Sequence, residues 1–462
     1  MTRNNRTTEL YMLIKQLLRW SILIVPVSIA IGCVIAFFLW LLQAVTQFRF
    51  NHSWLLFLLP LAGLLIHFIY HYYGQPAAKG NDLILEQIHV EEGKIPKRMA
   101  PIILFTTIIT HLFGGSAGRE GTAVQIGGSM ASLYGHWFKL NGADMRMMII
   151  AGVAAGFGAV FGTPVTGAIF AIEVLTIGRI KYDALLPALI ASVVGNITVN
   201  AWQVTHTLYQ IDAFSQQTDY LAAWLHFDVL LLGKVMVSAA LFGLASLLFT
   251  TMIVEVKGFC NSIFRHKWLV PVFGGFMIIG LTLMMGKPDY LGLGVDAPSP
   301  GVVTISSAFQ TGGSDTFSWL WKTVYTAITI GTGFKGGEVT PLFYIGATLG
   351  NTLASILNAP VSLFAALGFI AVFAGATNTP LACTMMGVEL FGAEHVLLFA
   401  IACFTSYFFS GHSGIYGAQR IAVPKTLDGF FADETTLAEA MKGRDYIHQK
   451  LRKYTSSLKK KH

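Results

Sequence analysis

The chain has 462 residues, of which 54% are hydrophobic and 12% charged, with 47 glycines and 34 phenylalanines. Soluble globular proteins carry about 25% charged residues. A mean hydropathy of +0.61 over the whole length therefore excludes a soluble enzyme with one anchor, and it excludes a β-barrel, whose alternating strands average near neutrality. At about 20 residues per span there is room for ten or more membrane segments and little for an extramembrane domain.

In chain order, residues 1–19 hold Arg3, Arg6, Lys15 and Arg19 against Glu9. At the other end, residues 441–462 hold eight Lys and Arg against Asp445. The two tails carry a net +10 and the rest −3, which predicts both termini on the cytoplasmic side and contact with anionic lipid rather than nucleic acid. The first apolar stretch runs from Trp20 to Val45, 26 residues without a charge, too long for a cleavable signal and read as a span. Further spanning runs follow at 54–73, 185–200, 228–254 and 268–285. Between them, stretches at 99–113, 122–138, 146–177, 341–357, 361–377 and 379–411 are short or broken by Gly, Pro or a lone acid. Non-helical backbone survives at membrane depth only where protein or water covers it, so these breaks imply a polar path inside a helical bundle. Cys33, Cys260, Cys383 and Cys403 lack paired spacing and read as packing residues.

The two halves echo each other. Phe161-Gly162-Thr163-Pro164 is followed nine residues after its proline by Glu173, and Thr377-Asn378-Thr379-Pro380 nine residues after its proline by Glu389. Upstream, the glycine-rich breaks at 114–128 and 331–347 each open an apolar helix, and their Ile126-Gly127 and Ile345-Gly346 pairs precede those prolines by 37 and 34 residues. Four features in matching order predict an internal repeat, joined through the polar segment 203–227. With both termini inside, halves of odd crossing number are inverted relative to one another. The expected organisation is an N-terminal segment 1–19, a first membrane repeat 20–202, a linker 203–227, a second repeat 228–430 and a basic tail 431–462.

Four glycine breaks carry candidate chemistry. In Gly118-Arg119-Glu120-Gly121-Thr122 a helix N-terminus points unsatisfied N–H groups at an anion, and a carboxylate in the same place can occupy that site itself. Once displaced into low-dielectric protein it takes up a proton, so Glu120 exchanges an anion for a proton; the competing reading is a first-turn acid that stabilises its own helix. Arg119 reads as an interfacial or structural partner. In Gly336-Gly337-Glu338-Val339-Thr340-Pro341, Thr340 suits an N-cap and Pro341 the first helical position, with Glu338 pairing with Lys335 as the alternative to a functional acid. In Lys79-Gly80-Asn81-Asp82 the Asn81 amide offers N–H donors, while Asp82 repels an anion unless it turns away to cap the helix. Tyr416 sits in the last break, His412-Ser413-Gly414-Ile415-Tyr416-Gly417, where a packed interfacial aromatic is the alternative to a ligand. His67 and His71 lack a third metal ligand nearby, no cofactor is implied, and the H-E-x-x-H signature of a metal-dependent hydrolase is missing.

The order of these motifs over residues 20–430 resembles the CLC family of chloride channels and anion/proton antiporters, and within it the fluoride-transporting branch. The resemblance rests on GREG at 118–121, the break at 336–341 with its Pro341, and the late tyrosine in GIYG. It implies an all-α membrane fold with two inverted-topology repeats of tilted, partly broken helices. It also implies that Glu120 is the gating and proton-carrying glutamate, Tyr416 the inner-gate tyrosine, and Glu338 a second residue of proton movement. Asn81, Thr340, Gly118 and Gly121 are implied to form the anion site. Asn81 stands where chloride-type members have a serine, and Thr122 replaces their proline after GREG, as in the fluoride branch. Val174 stands where exchangers of chloride carry a second proton glutamate. The resemblance further implies a homodimer with one pathway per subunit, its interface near 165–200 and 383–411; the nucleotide-binding tail that many members carry is not expected, because the basic tail 431–462 is too short for one. The expected function is proton-coupled export of fluoride across a bacterial plasma membrane, with a chloride or nitrate/proton exchanger and a passive anion channel as alternatives.

Overall fold

A computed structural model describes residues 2–90, 94–212, 228–425 and 435–441. Most of the expected linker, 213–227, and the basic end of the tail, 442–462, lie outside the described residues. The first half contains α1 (Thr2–Asn51), α2 (Leu59–Tyr73), α3 (Asn81–His89), α4 (Met99–Leu112), α5 (Glu120–Trp137), α6 (Gly142–Phe161), α7 (Pro164–Glu173) and α8 (Leu185–Ala201). The second contains α9 (Val229–Ile263), α10 (Leu269–Met285), α11 (Ser318–Gly331), α12 (Val339–Leu357), α13 (Val361–Thr377), α14 (Pro380–Phe391) and α15 (Val396–Phe409). A parallel pair of two-residue strands, β1 (Thr176–Ile177) and β2 (Arg420–Ile421), ties the segment after α7 to the segment after α15.

Residues 2–19 are not a separate segment but the start of the 50-residue α1, because no glycine or proline interrupts the helix formers before Pro26. Arg19 anchors this end to Asp144 at 2.5 Å. The runs 146–177 and 379–411 each split in two, since Gly162 takes a left-handed φ of +75° and Gly392 one of +91°. Among the described residues, five helical stretches are long and apolar enough to cross a membrane, Glu9–Asn51, Ser53–Tyr73, Gly142–Phe161, Tyr182–Ala201 and Val229–Ile263. Outer helices turn apolar side chains such as Trp40, Phe276 and Met284 outward, whereas α13 is buried along almost its whole length. That is the order expected when lipid surrounds the bundle and a strongly apolar helix fills its centre.

The packing repeats as the motifs do. Helix α5 packs on α6, α6 on α7 and α8, and α8 on α1; in the second half α12 packs on α13, α13 on α14 and α15, and α15 on α9. The paired Ile-Gly motifs mark close helix–helix approaches. A Cβ on Gly127 would stand 2.1 Å from the Gly152 carbonyl of α6, and one on Gly346 would stand 2.0 Å from the Gly368 carbonyl of α13. Only hydrogen fits at either position.

The Thr-Pro motifs are explained the same way. Gly162 and Asn378 both adopt the left-handed conformation that ends a helix, and Pro164 and Pro380 open the next one two residues later. Neither Thr163 nor Thr379 caps the new helix with its side chain. Instead Glu389 of α14 accepts from Val165 N at 2.9 Å, Thr166 N at 2.7 Å and Thr166 Oγ1 at 2.6 Å. Reciprocally, Glu173 of α7 accepts from Leu381 N at 3.0 Å and Ala382 N at 2.7 Å. Each glutamate caps the other repeat's helix, which sets α7 and α14 antiparallel. Replacing either by alanine strands two N–H groups inside the bundle and is expected to cost about 2–3 kcal/mol, read as a lower thermal midpoint in detergent. Ion coupling in the folded fraction stays unchanged; loss of coupling at unchanged stability would instead make them proton sites.

Candidate functional site

Two matching glycine breaks, one from each repeat, meet within the bundle. Gly118 N donates to Gly337 O at 2.5 Å and Gly337 N to Gly118 O at 2.7 Å, an antiparallel bridge that brings the N-termini of α5 and α12 together. His111 Nε2 lies 3.3 Å from the Gly118 carbonyl and supports the first break. The crossing leaves no room for side chains: a Cβ on Gly118 would stand 2.8 Å from Glu120 Oε2 and 3.0 Å from Gly337 O.

Glu120 is 1% exposed and does not serve mainly its own helix. Its Oε2 accepts from Thr340 N at 3.1 Å and from Arg119 N at 3.0 Å, and its Oε1 accepts from Thr340 Oγ1 at 2.5 Å. Arg119 Nε lies 3.7 Å from Oε1. The carboxylate thus sits on the N-terminus of α12, where backbone N–H groups, a hydroxyl and the partial positive charge of the helix converge. These are the donors an incoming anion needs.

Thr340 is consequently not the N-cap of α12. The helix begins at Val339 with Glu338 in the cap position, so Thr340 is the second helical residue and Pro341 the third. Its hydroxyl is free of capping duty because Glu120, 220 residues earlier, takes it. Nor does Glu338 form an ion pair with Lys335 among the described residues; the Lys335 ammonium lies 4.4 Å from the centre of the Tyr70 ring and 3.5 Å from Ala78 O.

Asn81 opens α3 beside this crossing. A Cβ on Gly121 would meet Asn81 Nδ2 at 2.9 Å, Gly337 Cα at 3.1 Å and Glu338 Oε2 at 3.7 Å, so the amide and the second carboxylate flank the same narrow space. Asn81 Oδ1 is buried without a hydrogen-bond partner. Asp82 does turn away, but it caps another segment: its Oδ1 accepts from Ala418 N at 3.0 Å, two residues past Tyr416. Tyr416 is 3% exposed, with its ring edge-on to Phe170 at 6.4 Å, and shares a small pocket with Asn81, Val124 and Val174. A cavity of about 770 Å³ reaches Asn81 and Glu338 and is also lined by Gln125, Lys257 and Lys335.

The site therefore gathers Gly118, Glu120, Gly121, Glu338 and Thr340 from the two breaks, with Asn81 and Tyr416 on the cavity side. Three polar neighbours escape a reading of motifs. Gln125 is buried with an unpartnered Oε1, one helical turn after Gly121. Gln419 is wholly buried and donates from Nε2 to Val174 O at 2.9 Å and Thr377 O at 3.1 Å. Lys322 of α11, fully buried, donates to Tyr290 O at 3.1 Å and Gly292 O at 2.8 Å. Only a strongly polar residue inside an apolar run marks such positions in sequence.

The family profile described as voltage gated chloride channel matches residues 62–411. The chain belongs to this family, the CLC proteins. A CLC relative from Pseudomonas syringae pv. tomato, named a chloride/fluoride channel protein, is 43% identical over 426 residues, covering 91% of this chain and 90% of that one. The crystal structure of a CLC-type fluoride/proton antiporter is similar with a TM-score of 0.80 at 33% identity, covering 88% of this chain and 98% of that one. A slow cyanobacterial chloride/proton antiporter, 19% identical, shares the CLC fold with a TM-score of 0.69 over 85% of this chain and 94% of that one. The two inverted repeats of broken helices are thus the CLC architecture. Where the CLC comparison of motifs singled out Thr122, its hydroxyl lies 2.7 Å from Thr107 Oγ1 and links α5 to α4. Val174 is buried beside Tyr416 and offers its carbonyl to Gln419.

Proposed function

We propose that this CLC protein is a fluoride/proton antiporter that uses inward protons to export fluoride, with Glu120 and the anion alternating at the N-terminus of α12. The observation that carries the reading is the seat of the Glu120 carboxylate on Thr340 N and Oγ1. An anion entering from the cavity displaces the carboxylate, which then lacks donors in a low-dielectric surround and takes up a proton. Release of the anion lets the deprotonated carboxylate return. Glu338, on the cavity side, is the second proton-carrying group, and Tyr416 closes the inner end.

Fluoride is small, strongly hydrated and a stronger hydrogen-bond acceptor than chloride, so it gains most from short, strong donors. The Thr340 hydroxyl and backbone N–H, the Asn81 amide and the backbone N–H of Gly121 supply them, while the Gly118 N–H is taken by the Gly337 carbonyl. The relative named for fluoride and the similar fluoride/proton antiporter support this choice.

The protein resides in the plasma membrane with both basic termini in the cytoplasm. It works as a homodimer with one pathway in each subunit, joined through the exposed apolar faces of α7, α8 and α15, which present Val165, Leu186, Ile197 and Phe404. In liposomes, an imposed pH gradient is expected to move fluoride against its own gradient. Fluoride flux that ignores the pH gradient would make the protein a channel, the reading favoured by the name of the Pseudomonas relative. Equal chloride flux would make it a chloride exchanger.

A further inference from the structure

We propose that residues 435–441, expected from sequence as tail, are a strap that positions Tyr416 and so sets the coupling of anion to proton; the coupling part rests on the antiporter reading. Tyr416 lies between α15 and β2 in a segment without helix, and such backbone at membrane depth must find its partners in protein. One set comes from the membrane helices. Ile415 N donates to Ala376 O at 2.9 Å, Ala418 N to Asp82 Oδ1 at 3.0 Å, and Gln419 Oε1 accepts from Asn378 Nδ2 at 2.9 Å. The other set is the strap. Ala438 N donates to Gly417 O at 2.9 Å, Leu437 N to Gln419 O at 2.8 Å, and Ile421 N to Thr435 O at 3.0 Å. An antiparallel bridge joins Arg420 to Thr436.

The strap has its own means of keeping shape. Thr436 and Glu439 form a capping box, Thr436 N and Oγ1 donating to Glu439 Oε2 at 2.9 and 2.8 Å. Leu437, fully buried, packs with Ile177, Ile421 and Ala440 in a small core of its own around the β1–β2 pair. Ala438 and Met441 also line the cavity that reaches Asn81 and Glu338. The Ala438 Cβ stands 3.3 Å from where a Cβ on Gly417 would be, directly after the tyrosine. Loosening Leu437 therefore frees the backbone carrying Tyr416 without touching any group of the anion site.

The test compares full-length wild type with Leu437→Ala and with the milder pair Thr436→Ala and Glu439→Gln. Hydrogen exchange of the 415–421 amides is expected to rise roughly ten-fold or more in Leu437→Ala, since a buried leucine is lost beneath them. In liposomes, protons moved per fluoride are expected to fall about two-fold or more, in line with a partly released gate, while fluoride flux per folded protein persists. In a Tyr416→Ala background the strap variants add no further loss of coupling. A chain ending after Met441 keeps the wild-type ratio. Unchanged exchange overturns the strap whatever ion is carried, and raised exchange with a wild-type ratio reduces it to scaffold. Wild type that moves no protons against fluoride sinks the antiporter reading instead, and the exchange measurement then decides the strap alone.

Discussion

Glu120→Gln is expected to abolish proton movement, bringing proton flux in liposomes down to that of protein-free vesicles. The amide is nearly the same shape and its oxygen still meets the Thr340 donors, so the fold survives, but it neither titrates nor carries charge. A charge-assisted hydrogen bond contributes about 1.5–3 kcal/mol against about 1 for a neutral one. The competitor for the α12 N-terminus is therefore weakened, and fluoride is expected to bind roughly ten-fold tighter. Proton flux at the wild-type level in this variant, measured with a pH-sensitive dye while a fluoride electrode follows the anion, removes Glu120 from its assigned role.

Thr340→Val removes the hydroxyl while keeping shape and the backbone N–H. Both occupants lose a donor, Glu120 visibly so through its Oε1 contact, and the absolute rate therefore moves in either direction. The ratio of fluoride to chloride is the informative quantity. Fluoride gains more from a strong donor than chloride does, so selectivity is expected to fall about ten-fold, the effect of about 1.4 kcal/mol. Thr340→Ser keeps the hydroxyl and is expected to restore the ratio. Selectivity that survives in Thr340→Val places the discrimination at Asn81 or at backbone groups alone.

How much of this was legible beforehand follows the range of the interactions. The Thr-Pro breaks are local chemistry: a residue tolerant of positive φ, Gly162 or Asn378, then a proline that starts the next helix. Their spacing to Glu173 and Glu389 could be seen, but what the glutamates do could not, because each partner helix lies more than 200 residues away. Thr340 reads as an N-cap from sequence for the same reason, because the Glu120 that takes its hydroxyl lies 220 residues away. Helix α11 was absent from the expected spans because its buried face carries Lys322, Thr326 and Thr329, which lower its apolar signal. Those residues are satisfied at long range, Thr326 Oγ1 lying 3.0 Å from Ser116 Oγ and Thr329 Oγ1 accepting from Ser116 N at 3.1 Å. The strap went unread because charge marked the end of the chain as tail, although Thr436-Leu437-Ala438-Glu439 fits a helix start on its own terms.

The gathering of Glu120, Thr340, Asn81 and Glu338 around Gly121 and Gly337 is the part that only the fold supplies. Each motif alone reads equally well as a turn or a helix start. Their meeting, with the carboxylate of one repeat on the helix terminus of the other, turns four ordinary breaks into one site that an anion and a carboxylate can occupy only in turn.

The most direct measurement is proton uptake on fluoride binding, with purified protein in weakly buffered detergent solution and no membrane or gradient. If fluoride displaces the Glu120 carboxylate from Thr340, added fluoride raises the pH of the solution as the freed carboxylate takes a proton, and Glu120→Gln binds fluoride with no such change. Fluoride that binds the wild type without taking up protons, or an uptake that persists undiminished in Glu120→Gln, contradicts the shared site.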